Sequence, residues 1–242
     1  MYPHKLYKLL AGLFVVVLPL LLITSTVRWA FNSSSIYEIG FVRHNVSSTT
    51  GLSNSQLLKA GKEVRAYFSS TNDRLYIPIY VGSAEVELFT PVETRHMLDV
   101  KEIVQKLYRI QEGLLLFVLL FITCGFLMKG PEFATIIRRL IRYGSIGTIL
   151  LMVLAGTSVT VAFGPLFTLF HKISFANDYW ILDPKTSFLV RMFPLDFWFE
   201  TTIFIAFLCV AEAILMIFIT IFLEWWKRRK QMLADRRVTQ YI

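Results

Sequence analysis

Four stretches of the chain run without charge for long enough to matter. Leu9 to Val27 covers 19 residues, Gly113 to Met128 covers 16, Tyr143 to Phe170 covers 28, and Thr201 to Leu223 covers 23 with only Glu212 interrupting. A helix rising about 1.5 Å per residue needs about 20 residues to cross the hydrocarbon of a bilayer. The second run reaches that length if Ile110 and Gln111 extend it while Arg109 and Lys129 snorkel to the two interfaces. The third is longer than a crossing needs and carries Gly144, Gly147, Gly156, Gly164 and, near its far end, Pro165. Small residues of this kind let helices approach closely. The pattern predicts a membrane all-α protein with four transmembrane helices.

Between the first two runs the pattern changes. Ser53 and Asn54 cap a helix reaching about Tyr67, with Leu57, Leu58, Val64, Tyr67 and Phe68 along one face. Arg74–Val81 reads as a strand, Gly82-Ser83-Ala84 as a turn and Glu85–Phe89 as its partner strand. Pro78 assigns the first strand to a sheet edge. These elements predict a small α+β extracellular cap. Thr90-Pro91-Val92-Glu93 is a helix start, with Thr as N-cap, Pro at the first position and Glu at the third. The helix it opens carries His96 and Asp99 on one face. If continuous with the second span, it would hold His96 some 25 Å above that span, so a separate interfacial helix is expected. Between the last two spans, residues 171–200 form an aromatic interfacial loop.

The predicted organisation is therefore residues 1–28 as N-terminus and first span, 29–90 as cap, and 91–129 as interfacial helix and second span. A basic loop over 130–142 follows, then the third span at 143–170, the loop at 171–200, the fourth span at 201–224 and a basic tail at 225–242. The first span is expected to be a retained anchor, because its apolar run exceeds a signal-peptide core and no A-x-A site follows.

Composition and charge sharpen this picture. The 242 residues are 55% hydrophobic and only 17% charged, with a mean hydropathy of +0.56 and a net charge of +8. The excess is confined to three regions. Lys5 and Lys8 precede the first span, Lys129, Arg138, Arg139 and Arg142 lie between the second and third, and Lys227–Lys230, Arg236 and Arg237 follow the fourth. The other two segments are neutral together. Positive charge marks the cytoplasmic side, which predicts cytoplasmic N and C termini. The positive charge is thus a topology signal; no basic folded domain suggests nucleic acid. The Lys227–Lys230 run reads as a stop-transfer signal that also favours anionic lipid. Cys124 and Cys209 both fall in spans and read as packing residues.

Four histidines are candidates for chemistry. His4 and His44 read as surface residues. His96 and His171 both fall on the outer side near span ends, with Asp99, Asp178 and Asp183 available to them. Two imidazoles and a carboxylate permit acid–base catalysis or a metal site. No HExxH pattern supports the metal, and a covalent nucleophile is unsupported because no GxSxG is present and both Cys sit in spans. Glu212 is costly inside a span and reads as a packing contact or as the lining of a substrate path.

The stretches LFTPVETRHMLDVK (Leu88–Lys101), FHKISFANDYWILDP (Phe170–Pro184) and MFPLDFWF (Met192–Phe199) resemble the bacterial lipoprotein intramolecular transacylase (Lit) family. The resemblance implies an enzyme of the bacterial cell membrane with its site at the outer face. Its substrates would be diacylglyceryl-modified lipoproteins, whose sn-2 acyl chain moves to the α-amino group of the N-terminal cysteine. It also implies that His96 and His171 are the catalytic pair. The chemistry agrees: an amine attacks an ester within one substrate molecule, so no covalent enzyme intermediate is required. His96 is expected as base and His171 as acid, the reverse being the second choice. Asp99 or Asp183 would orient a ring, and Asn177, Trp180 or backbone amides would hold the oxyanion. No cofactor or metal is implied, the remaining partners are membrane lipids, and a monomer is expected. Two other readings compete: a non-enzymatic lipid- or lipoprotein-binding membrane module, and a small carrier with Glu212 in its path.

Overall fold

The structure is a computed structural model that describes residues 2–81 and 83–239. It is mostly helical. In chain order the elements are α1 (Tyr2–Asn32), α2 (Ser34–Arg43), α3 (Val46–Thr50), α4 (Asn54–Ser69), β1 (Pro78–Val81), β2 (Ala84–Glu87) and α5 (Pro91–Lys129). A short 3₁₀ turn at Gly130–Glu132 leads into α6 (Phe133–Ser174), followed by α7 (Phe188–Met192) and α8 (Leu195–Thr239). Among the described residues, three stretches are helical, long and apolar enough to cross a membrane: Lys5–Asn32, Pro91–Ser174 and Leu195–Leu233. The second is 84 residues long and consists of α5 and α6. The 3₁₀ turn between them is held by Gly130 at φ +53° and by Pro131 at its start.

The chain divides into two compact units. One comprises α1 as far as Ile23, Glu112–Leu154 of α5 and α6, and α8 from Ala206 onward. Its core gathers Phe14, Val17, Leu18 and Leu21 of α1, Val118 and Phe121 of α5, and Phe133 and Ile137 of α6. Glycine permits close approach at two places. A Cβ on Gly144 would lie 2.8 Å from Leu18, and one on Gly125 would lie 2.2 Å from the Phe133 ring. Gly147 adjoins Pro19, whereas Gly156 and Gly164 face open space, so only two of the four glycines of the third apolar run serve packing. Cys209 is buried in this unit and Cys124 is exposed.

The other unit comprises Thr24–Gln111 and Ala155–Ile205. Its core is built on α4, whose apolar positions recur at helical spacing. Leu57, Ala60, Gly61, Val64, Tyr67 and Phe68 are all buried, against Tyr37 and Phe41 of α2 and Met97 and Val104 of α5. Ser53 caps α4 as expected, whereas Asn54 is its first residue; the cap is a box in which Gln56 N donates to Ser53 Oγ and Ser53 N donates to Gln56 Oε1. The strands pair antiparallel, Pro78 opposite Glu87, as a two-stranded sheet. The turn residue Gly82 lies outside the described residues.

The structure departs from the sequence reading in several places. No separate interfacial helix precedes the second apolar run, since α5 is continuous from Pro91 to Lys129. Gly113 does not break it, because a lone glycine costs a helix only about 1 kcal/mol and no proline follows Pro91 within α5. His171 belongs to the last turns of α6 rather than to a loop. The expected basic loop at 130–142 is helical from Phe133 onward, and the basic tail continues α8. In a membrane protein, charged residues at span ends prolong helices as readily as they end them, because Arg and Lys are good helix formers. Helices α2 and α3 carry no strong periodic signal and were not anticipated. Finally, α6 kinks at Ala162 (φ −142°, ψ 39°), three residues before Pro165, which has no N–H to offer the Val161 carbonyl.

Candidate active site

The start of α5 is fixed twice over. Thr90 and Glu93 form the expected capping pair: Glu93 N donates to Thr90 Oγ1, and Thr90 N donates to Glu93 Oε2 at 2.7 Å. The second carboxylate oxygen of Glu93 does something the sequence did not announce. It accepts from Ser187 Oγ and, at 2.9 Å, from Leu189 N. Glu93 is only 1% exposed, so a buried carboxylate ties the first turn of α5 to the first turn of α7. Every contact replaces hydration lost on burial. Three residues further along α5 stands His96.

The imidazole of His96 meets that of His171 from α6, with ring centroids 5.9 Å apart and planes inclined by 32°. Both residues are buried. Aromatic rings enclose them. Phe175 meets His96 edge-on at 5.2 Å and lies 5.5 Å from His171, while Phe167, Phe170 and Trp180 lie 4.4, 5.4 and 5.2 Å from His171. His171 Nδ1 donates to the Phe167 carbonyl at 2.7 Å, one turn back on its own helix. A carbonyl oxygen only accepts, so this bond requires the proton on Nδ1 and leaves a lone pair on Nε2 in the neutral ring. His96 Nδ1, by contrast, is buried with no hydrogen-bond partner.

The remaining candidates take distinct places. Asn177 donates from Nδ2 to Asp99 Oδ2 at 2.9 Å, and its Oδ1 accepts from Tyr179 N. Asp99 therefore anchors the 175–180 turn, which delivers Trp180 to His171. No hydrogen bond joins either ring to Asp99 or Asp183 among the described residues. Asp183 Oδ1 accepts from Lys185 N, and the Asp183 carbonyl accepts from Ser187 N, which shapes the approach to α7. Asp178 is exposed. His44 is not the free surface residue expected: its Nε2 lies 3.4 Å from Glu200, which also pairs with Arg43. The side chain of His4 lies outside the described residues. Among the described residues no three His, Cys, Asp or Glu side chains gather as metal ligands. Sequence reasoning missed Glu93 as a tether, and missed Phe167, Phe175 and Ser187. Only Glu93 left a trace, as the third residue after a helix cap.

The family described as "Lipoprotein intramolecular transacylase Lit" matches residues 12–198. This chain belongs to the Lit family. The Lit match covers both histidines, the capping pair and the 171–198 segment. An uncharacterised protein of Aquifex aeolicus is 24% identical over 213 residues, spanning 87% of this chain and 93% of that one. In fold, the chain is similar to the membrane integral lipoprotein intramolecular transacylase Lit from Bacillus cereus. That likeness has a TM-score of 0.78 at 19% identity, over 93% of this chain and 99% of the other. A variant of the same Bacillus cereus protein, with one histidine replaced by arginine, superposes with a TM-score of 0.74 at 18% identity, over 95% and 96% of the two chains. Together with its apolar helices, Lit membership makes this chain a multi-pass membrane protein.

Proposed function

We propose that this chain moves the sn-2 acyl chain of a diacylglyceryl lipoprotein onto the α-amino group of its N-terminal cysteine, using His171 and His96. The observation that carries the reading is the buried, apposed imidazole pair, with His171 Nδ1 committed to a backbone carbonyl. Its Nε2 lone pair is then available to take a proton. The α-amine of a peptide has a pKa of about 8 and imidazole about 6.5, close enough for transfer as the amine attacks. The amine nitrogen forms a bond to the ester carbonyl carbon while its proton passes to His171 Nε2. The tetrahedral intermediate collapses, the bond from carbon to the glyceryl oxygen breaks, and the His171 imidazolium returns the proton to that oxygen. The ring ends neutral, ready for another turnover. His96, neutral among apolar rings, donates an N–H to the developing oxyanion together with the Trp180 indole. This reverses the expected base: the hydrogen bond to Phe167 favours His171 in that role.

Substrate access fits a lipid ester. Val161, Leu169, Phe170 and Ile173 of α6 and Ile181 beyond it are exposed apolar side chains in the same unit as the histidines. An acyl chain lying along this face brings its ester to His171. A continuous α5 therefore does not remove His96 from lipid, because α6 carries an apolar exposed surface up to the ring. We infer four crossings, the turn at Gly130–Glu132 separating the second from the third. Positive charge at both ends of the chain and at 129–142 supports cytoplasmic termini, and the histidines then face the outer side. Transfer within one substrate is compatible with action as a monomer in the bacterial cell membrane.

Mass spectrometry of a lipoprotein N-terminal peptide tests the reading, in cells lacking lipoprotein N-acyltransferase, with and without this protein. The expected product is N-acylated, has lost one chain from glycerol and keeps its total acyl count. His96→Ala and His171→Ala should abolish it while the protein persists in the membrane. An unchanged diacylglyceryl peptide in all samples would instead favour a lipoprotein-binding module.

A further inference from the structure

The facing ends of α6 and α8 carry a second polar construction that acyl transfer does not use. Arg138, Arg139 and Arg142 recur at helical spacing on α6, and Glu224, Lys227 and Arg228 do so on α8. Together they line a cavity of about 390 Å³, within the size range of small-molecule sites. Five cations thus surround one carboxylate. That carboxylate is already engaged: Arg142 Nη2 donates to Glu224 Oε1. Arg138 Nε reaches the same oxygen at 3.8 Å, an ion-pair distance too long for a hydrogen bond, and Arg138 Nη2 donates to Thr135 Oγ1 at 3.1 Å. Its Nε is buried and has no hydrogen-bond partner. Arg138 and Arg142 are also half-buried, unlike the freely solvated cations of an ordinary positive end. Arg138 Nε is ion-paired with Glu224 but makes no hydrogen bond, so its lost hydration is only partly replaced, and a planar guanidinium matches two phosphate oxygens at once.

The depth of the cavity points to a lipid. Tyr143 follows Arg142 directly, and Trp225 and Trp226 follow Glu224, all three exposed. Aromatic side chains of this kind mark the bilayer interface, where phosphates lie. From the cavity, helical spacing leads along α6 to Ile146 and Leu150 and along α8 to Ile221 and Phe218, all of them exposed and apolar. These surfaces suit acyl chains continuing from a headgroup.

We propose that this cavity binds the phosphodiester headgroup of an anionic phospholipid. Arg138 Nε and the guanidinium of Arg139 hold the phosphate, Lys227 and Arg228 complete the positive field, and Glu224 keeps Arg142 in place as one wall. The site is separate from the histidine pair, and its test does not depend on acyl transfer.

Delipidated protein is titrated with phosphatidylglycerol, phosphatidylcholine or inorganic phosphate and bound species are counted by native mass spectrometry. Wild-type protein should retain phosphatidylglycerol and not phosphatidylcholine, and inorganic phosphate should not displace it at equal concentration. Arg139→Gln with Arg228→Gln should weaken phosphatidylglycerol binding by about tenfold or more. Arg229→Gln with Lys230→Gln, outside the cavity, should leave it within about twofold. The thermal midpoint in phosphatidylcholine shows whether each variant is folded. If the first pair proves unstable, Lys227→Gln alone serves in its place. Equal retention of phosphatidylcholine overturns the proposal, as does equal weakening by both pairs of substitutions. Displacement by inorganic phosphate overturns the lipid assignment and makes the cavity a site for free phosphate.

Discussion

Two buried polar residues stand one helical turn apart on α5 and are treated in opposite ways. Glu93 has partners on both oxygens: Thr90 N on one, Ser187 Oγ and Leu189 N on the other. His96 has a buried Nδ1 with none. Both lost their hydration on folding, and only one was repaid by the protein itself. The difference separates framework from site. A satisfied buried carboxylate fixes where α5 and α7 meet. On the proposed reading, the unpartnered nitrogen beside a second imidazole is left for a substrate to complete.

This contrast is broken most severely at the rings. His171→Gln should lower the rate of acyl transfer by about a thousandfold or more, the range of general base catalysis. His96→Gln should cost about a hundredfold, the range of one oxyanion donor. Neither should shift the thermal midpoint by more than a few degrees. Initial rates with a defined diacylglyceryl peptide in micelles decide the order, and a larger loss at His96 would return the base role to it.

Glu93→Ala should act in the reverse sense, on stability first. It strands Ser187 Oγ and Leu189 N in a buried junction, removes the cap acceptor of Thr90 N, and should destabilise the unit by about 3 kcal/mol. Activity should then fall because the start of α5 is no longer held. Thermal unfolding in detergent measures the first effect. Glu93→Gln, which keeps an acceptor at the junction, should recover much of it.

The smallest effect lies at the start of α4. Ser53→Ala removes one half of the α4 capping box and should cost about 1 kcal/mol, with the transfer rate unchanged below the unfolding transition. A thermal melt paired with a rate measurement checks both parts. A comparable loss of activity at Ser53 would show that the helical cap is coupled to catalysis rather than only supporting it.

Much of this is legible in the amino-acid sequence. The helix starts at Ser53 and Thr90 and the hairpin after Arg74 declare themselves by local residue type and spacing, and the motif stretches carry the family. The limits are equally physical. Nothing local distinguishes Glu93 capping its own helix from Glu93 also reaching Ser187, 94 residues away. Asp99 was expected to orient a ring, and its acceptor meets Asn177 instead. The end of α6 could not be placed, because His171 and Lys172 suit a helix terminus and a loop equally well.

By itself, then, the amino-acid sequence determines the apolar runs, the sided distribution of charge, the helix starts and the chemical types available for catalysis. These depend on periodicity and on residues within a turn of one another. Only the tertiary structure decides that α5 runs unbroken through Gly113, that His96 and His171 meet across 75 positions, and which ring nitrogen keeps its lone pair. Those outcomes depend on how helices distant in sequence pack, and on whether each buried donor finds its acceptor once they do.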